Sequence, residues 1–102
     1  MPEEKVVIVS RHPATVNLLK SRFPEAEVVS HMTEDNIPEN ALVIGNLPIE
    51  MIAKVLEKGN RFVSVVLNIP PEMRGKELSE EELKKFAKFV EVKKLELEEF
   101  RV

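Results

Sequence analysis

The sequence predicts a three-layer α/β domain built on a mainly parallel sheet. Two observations carry this. Short apolar runs alternate with segments whose apolar residues recur at helical spacing, the pattern of βαβ units. The runs are also continuous rather than alternating, as in strands buried on both faces. The chain has 102 residues, which is the length of one domain, read as spanning residues 1–102. A chain of this size buries about two-thirds of the surface its unfolded form exposes, enough for one core.

Lys5 to Val9 is the first such run, bounded by charge and by Ser10-Arg11-His12-Pro13. Pro13 suits the first turn of a helix, where its missing N–H costs nothing. Val16, Leu19 and Phe23 then follow at helical spacing until Pro24 stops the pattern. Glu27 to Val29 predicts a short second strand, and 34–40 polar connecting chain. Ala41 to Ile44 predicts a third strand, left through Gly45-Asn46-Leu47-Pro48. Pro48 again marks a helix start. Ile49, Ile52, Ala53 and Leu56 make one stripe, capped by Gly59. Arg61 to Leu67 predicts the fourth strand. Ser79 with Glu82 forms a capping box before a third helix marked by Leu83, Phe86, Ala87 and Val90. In 92–102, Leu95 and Leu97 alternate with Glu96 and Glu98, which reads as an edge strand, with an extension of the third helix as the alternative. The predicted order is β-α-β-β-α-β-α-β.

Composition removes several function classes. There is no cysteine, so disulfides, thiolate metal sites and cysteine nucleophiles are excluded. Small secreted domains usually need disulfides, which favours a cytoplasmic location. The N-terminus, Met1-Pro2-Glu3-Glu4, is acidic and unlike a signal peptide. No apolar run approaches the roughly 18 residues of a membrane span. The net charge of −3 argues against a protein that coats duplex DNA. Asp35 is the single aspartate, too few for a receiver domain, and the glutamates lie mostly in helix and tail patterns rather than in the converging set a two-metal nuclease needs. The two histidines, His12 and His31, lie in separate turns without partners at ligand spacing, so no metal or other cofactor is expected. The phosphate loop GxxxxGK[ST], the dinucleotide pattern GxGxxG and the GxSxG elbow are all absent.

What remains is a cluster of polar residues at the strand exits. Ser10, Arg11 and His12 follow the first strand, and Ser30 and His31 the second. Gly45 and Asn46 follow the third, and Asn68 the fourth, with Arg74 six residues on. In a parallel sheet these exits share one rim, where open α/β sheets bind ligands. Helices starting at Pro13 and Pro48 would add their N-terminal N–H groups, which favour an anion. Each residue also has a plainer reading. Ser10 and Asn46 are candidate helix caps, Gly45 serves a tight turn, and Arg74 is an ordinary surface arginine. The convergence of four exits favours a cationic anion pocket.

These same residues carry a resemblance. Ser-Arg-His-Pro-Ala (10–14), Ser-His-Met (30–32), Val-Ile-Gly-Asn-Leu-Pro (43–48) and Asn-Ile-Pro-Pro-Glu-Met-Arg-Gly-Lys-Glu-Leu-Ser (68–79) resemble, in order, the motifs of the CRISPR-associated Csx-sixteen family. The chain departs from that pattern at Asn46, where threonine is common, and at Asn68, where aspartate is frequent. The resemblance implies a Rossmann-like fold akin to the CARF sensors of cyclic oligoadenylates. It implies a homodimer acting in type III CRISPR defence, with cyclic tetra-adenylate as partner and neither duplex DNA nor membrane. It further implies that active members cleave the ring without metal and switch off the antiviral signal. On that reading Arg11, His12 and Arg74 are the expected catalytic residues. Ser10, Ser30, His31, Gly45, Asn46, Leu47 and Asn68 are the expected binding residues. A module that sequesters the messenger without cleaving it would use the same set.

Overall fold

A computed structural model describes residues 4–76 and 78–102; Met1 to Glu3 of the acidic N-terminus, and Glu77 within the fourth motif, lie outside the described residues. Strand β1 spans Lys5–Val9 and β2 Glu27–Val29. Strand β3 spans Ala41–Gly45, β4 Arg61–Leu67 and β5 Ala87–Val92. Helix α1 spans Pro13–Arg22, α2 Ile49–Glu57 and α3 Glu80–Phe86. Single 3-10 turns occupy Glu34–Asn36 and Pro71–Met73. The five strands form one sheet in the order β2-β1-β3-β4-β5. The pairs β1–β2, β1–β3 and β3–β4 are parallel, and β5 runs antiparallel to β4. The predicted α/β class with a mainly parallel sheet is the one observed.

Strand alternation sorts the core into two faces. Val7, Val9, Val43 and Phe62 pack with Ile52 and Val55 of α2. Ile8, Leu42, Ile44 and Val65 pack with Leu19 of α1 on the other side. There α3 joins α1 through Leu18, Leu78 and Leu83. The layers are therefore α1 with α3, the sheet, and α2. The chain goes outward from β1 through α1 to β2. It then goes outward the other way, from β3 through α2 to β4. This reversal leaves a crevice between the carboxyl ends of β1 and β3.

Two residues set the connections. The buried amide of Asn60 accepts from Ala41 N–H at 2.9 Å and donates to the carbonyls of Pro38 at 2.7 Å and Val55 at 2.9 Å. It ties the start of β3 to the end of α2. Gly59, at φ 82°, supplies the left-handed residue that ends α2, as the sequence predicts. The Ser79–Glu82 capping box of α3 is also present.

Several expectations need correction. The stripe of α2 is centred on Ile52 and Val55, whereas Ile49, the first residue of the helix, is 60% exposed. Helix α3 ends at Phe86 rather than running through Ala87 and Val90, which lie on β5. Ladder bonds to β4 override the helical spacing there. The edge strand expected over 92–102 ends at Val92, and 93–102 carries no helix or strand. Within it Leu95 packs against the α2 face while Leu97 is exposed.

Candidate functional site: a crevice at the switch point

A cavity of about 400 Å³ occupies the crevice. Its walls come from three strand exits: Ser10, Arg11 and His12 after β1, Ser30 and His31 after β2, and Asn46 and Leu47 after β3. These seven expected site residues are brought together. Gly45, Asn68 and Arg74 are not among the residues framing it. Gly45 instead makes the close approach possible. It pairs with Val9, and a Cβ there would sit 2.4 Å from the Val9 carbonyl oxygen. Asn68 continues the β4–β5 connection, its N–H donating to the Phe86 carbonyl at 3.0 Å. Arg74 is exposed on the segment whose Ile69 and Met73 pack, with Ala14 of α1, against Leu18. That places Arg74 on the α1 side of the rim.

Each wall is held by a local device. Ser10 N–H donates to the Val29 carbonyl at 3.0 Å, joining the exits of β1 and β2. Ser10 Oγ accepts from His12 N–H at 3.0 Å. Ser10 is thus a turn residue and not the N-cap, which is His12. The ring Nδ1 of His12 lies 3.2 Å from Thr15 Oγ1. Thr15 is buried and is a contributor the sequence reading missed. Its signal was a hydroxyl three residues after His12 in the first turn of the helix, within side-chain reach. His31 is steadied from below, since Met32 is buried in the α2 face. The Asn36 amide also donates to the His31 carbonyl at 3.2 Å. Asn46 does not cap α2; Pro48 occupies that position.

Neither α1 nor α2 has a side chain capping its N-terminus. Both N-termini open at the crevice, and α1 has no acidic residue in its first turn. Positive helix ends, Arg11 and two imidazoles therefore meet in one cavity, a field that favours negative charge, though α2 carries Glu50 in its first turn. Among the described residues no three His, Cys, Asp or Glu side chains converge as a metal site, and no helix is long and apolar enough to cross a membrane. An ion-pair network lies at the opposite edge of the sheet. There Arg61, at the start of β4, binds Glu91 and Glu4, each at 2.9 Å. The Arg61 hydrogen bond lowers Glu91 to about 2, burial opposing, and Arg61 is itself raised.

The fold and crevice define a doubly wound α/β protein with a polar cavity at its switch point. Over residues 7–101 the chain matches the family described as "Putative CRISPR-associated protein (Cas_VVA1548)", and it belongs to that family. It is also similar to SKP1-like protein 1A of Arabidopsis thaliana, 25% identical over 84 residues, or 82% of this chain. The chain spans about half, 52%, of the length of that relative. No solved structure matches it.

Proposed function

We propose that this CRISPR-associated protein belongs to the Csx-sixteen group and binds and cleaves cyclic tetra-adenylate, ending a type III antiviral signal. The observation that carries the reading is the crevice. Arg11, His12 and His31 share a cavity with two uncapped helix N-termini. Its 400 Å³ suits one or two nucleotides rather than four, by comparison with the roughly 300–1,000 Å³ of small-ligand sites. A ring of four phosphates therefore calls for two copies related by a two-fold axis.

The reaction needs no external nucleophile. A ribose 2′-hydroxyl attacks the adjacent phosphorus, the bond from phosphorus to the 5′-oxygen breaks, and that oxygen takes a proton. The product is a linear adenylate with a 2′,3′-cyclic phosphate and a free 5′-hydroxyl. His12 and His31 are the groups in reach that move protons. Arg11 grips phosphate and offsets the charge that develops on it. Arg74, on the neighbouring loop, supplies a second cation to the ring. Asn46, Leu47 and Ser30 contact base or ribose.

One observation favours sequestration without cleavage. Neither imidazole is within ion-pairing distance of a carboxylate among the described residues, and His12 is oriented by a hydroxyl alone. Incubating cyclic tetra-adenylate with excess protein and EDTA separates the readings. Linear products with a 2′,3′-cyclic phosphate support the nuclease, and intact bound ring supports the sequestering module. Failure to bind the ring at micromolar protein refutes both.

A further inference from the structure

The residues after β5 expose apolar side chains that nothing among the described residues covers. Leu95 packs beside Val92 on the α2 face, but Leu97 is 44% and Phe100 84% exposed. Between them lie Glu98 and Glu99. The radius of gyration, 14.7 Å, exceeds the roughly 13 Å of a compact chain this long, as a projecting arm requires.

The opposite face carries an apolar groove of about 500 Å³. Leu19 and Phe23 form its α1 side, Leu42 and Val63 its floor, and Phe89 of β5 its far wall. Two cations, Arg22 and Lys84, also line it. Among the described residues neither has a carboxylate partner, and Glu96, Glu98 and Glu99 have no cation partner.

We propose that this groove receives the Leu97–Phe100 segment of a second copy of the chain. Phe100 is the buried anchor. Glu98 and Glu99 meet Arg22 and Lys84 at the margin and set the orientation. The chain's own arm is unsuited, because Leu95 pins it to the other face. The geometry also closes. Strand β5 ends at Val92 opposite Phe62, at the sheet edge remote from the crevice. Phe23, at the end of α1, puts the groove near that same edge. A two-fold axis along the strands lets two arms cross reciprocally there and leaves both crevices side by side on the opposite edge. The inference stands on the arm and the groove, not on the ligand, and it supplies the two-fold that the ring reading uses.

Sedimentation of the full chain without ligand tests it. The wild type is expected to be a dimer at micromolar concentration, and Phe100→Glu to raise its dissociation constant by at least about tenfold. Glu98→Lys with Glu99→Lys should weaken the dimer, and adding Arg22→Glu with Lys84→Glu should restore it. These four sites are exposed, so the charge-reversal pair reports even where Phe100→Glu misfolds. A monomeric wild type overturns the proposal, as does a dimer indifferent to both the Phe100 and the charge variants. A wild-type dimer that ignores cyclic tetra-adenylate would refute the ring reading and leave the arm contact standing. A ligand-binding monomer would do the reverse.

Discussion

The hydroxyl of buried Thr15 lies 3.2 Å from Nδ1 of His12, across the first turn of α1. The contact engages Nδ1 and leaves Nε2 free, and the hydroxyl can donate to or accept from the ring according to its tautomer. Thr15→Val keeps the shape and removes the partner. Turnover of cyclic tetra-adenylate should fall several-fold, with a stability loss of about 0.5–1.5 kcal/mol. Thr15→Ser should recover the turnover. Imidazole ¹⁵N shifts of His12 should move in the valine variant and return in the serine variant; unmoved shifts would reduce the contact to a packing detail.

Arg11 adds a cation to a helix end that is already positive. That crowding does nothing for folding and helps only when an anion is bound. Arg11→Ala should change unfolding free energy by no more than about 0.5 kcal/mol. Binding or turnover of cyclic tetra-adenylate should drop at least tenfold, or about 1.4 kcal/mol. Melting temperature and isothermal titration on this variant check both halves, and unchanged binding would move the site away from this turn.

Gly45 should act on structure first. A methyl group there meets the Val9 carbonyl oxygen at 2.4 Å, and backbone in the middle of a sheet yields little. Gly45→Ala should destabilise by about 1–3 kcal/mol, the range of overpacking. Chemical denaturation gives the number. A variant as stable as wild type, yet without ligand binding, would show that the glycine serves ligand approach instead.

Asn60 should be among the costliest single sites. Its three hydrogen bonds hold Ala41, Pro38 and Val55 at a position 5% exposed. Asn60→Ala leaves those backbone groups unpaired, at about 1–3 kcal/mol each for any that stays dry. A total loss of about 2–4 kcal/mol is expected by urea denaturation.

Acid sensitivity should come in part from Glu91. Its folded value is lowered to about 2 from 4.5, chiefly by the Arg61 hydrogen bond. The stabilisation is therefore fully present above pH 4.5 and is lost as pH falls from there towards 2. Wild type should exceed Glu91→Gln in melting temperature at pH 7, and the gap should close below pH 4. A gap that persists at pH 2 would mean that packing, not charge, explains the difference.

The physics legible in the sequence was local. Pro13 and Gly59 punctuated α1 and α2 because each acts through its own φ and N–H. The Ser79–Glu82 box announced α3 for the same reason. Continuous apolar runs at Lys5–Val9 and Ala41–Ile44 gave away strands buried on both faces. The residues Ser10, Arg11, His12, Ser30, His31, Asn46 and Leu47 were legible as one group because parallel strands must exit at one rim.

Local chemistry therefore specified the α/β class, the element starts and the polar character of the strand exits. Contacts between distant segments specified the rest. The order β2-β1-β3-β4-β5 put the crevice between β1 and β3, and strand order is a matter of non-local pairing that no window of residues contains. Pairing with β4 turned Ala87–Val92 from a helix end into a strand. Asn68 and Arg74 fall outside the crevice, since their loop joins β4 to α3 and packs beside α1. Thr15 became the partner of His12 only when α1 folded over the rim. The alternation of Leu95 and Leu97 fits a strand, but a strand needs a neighbour to supply its hydrogen bonds. Among the described residues of one chain the arm has none.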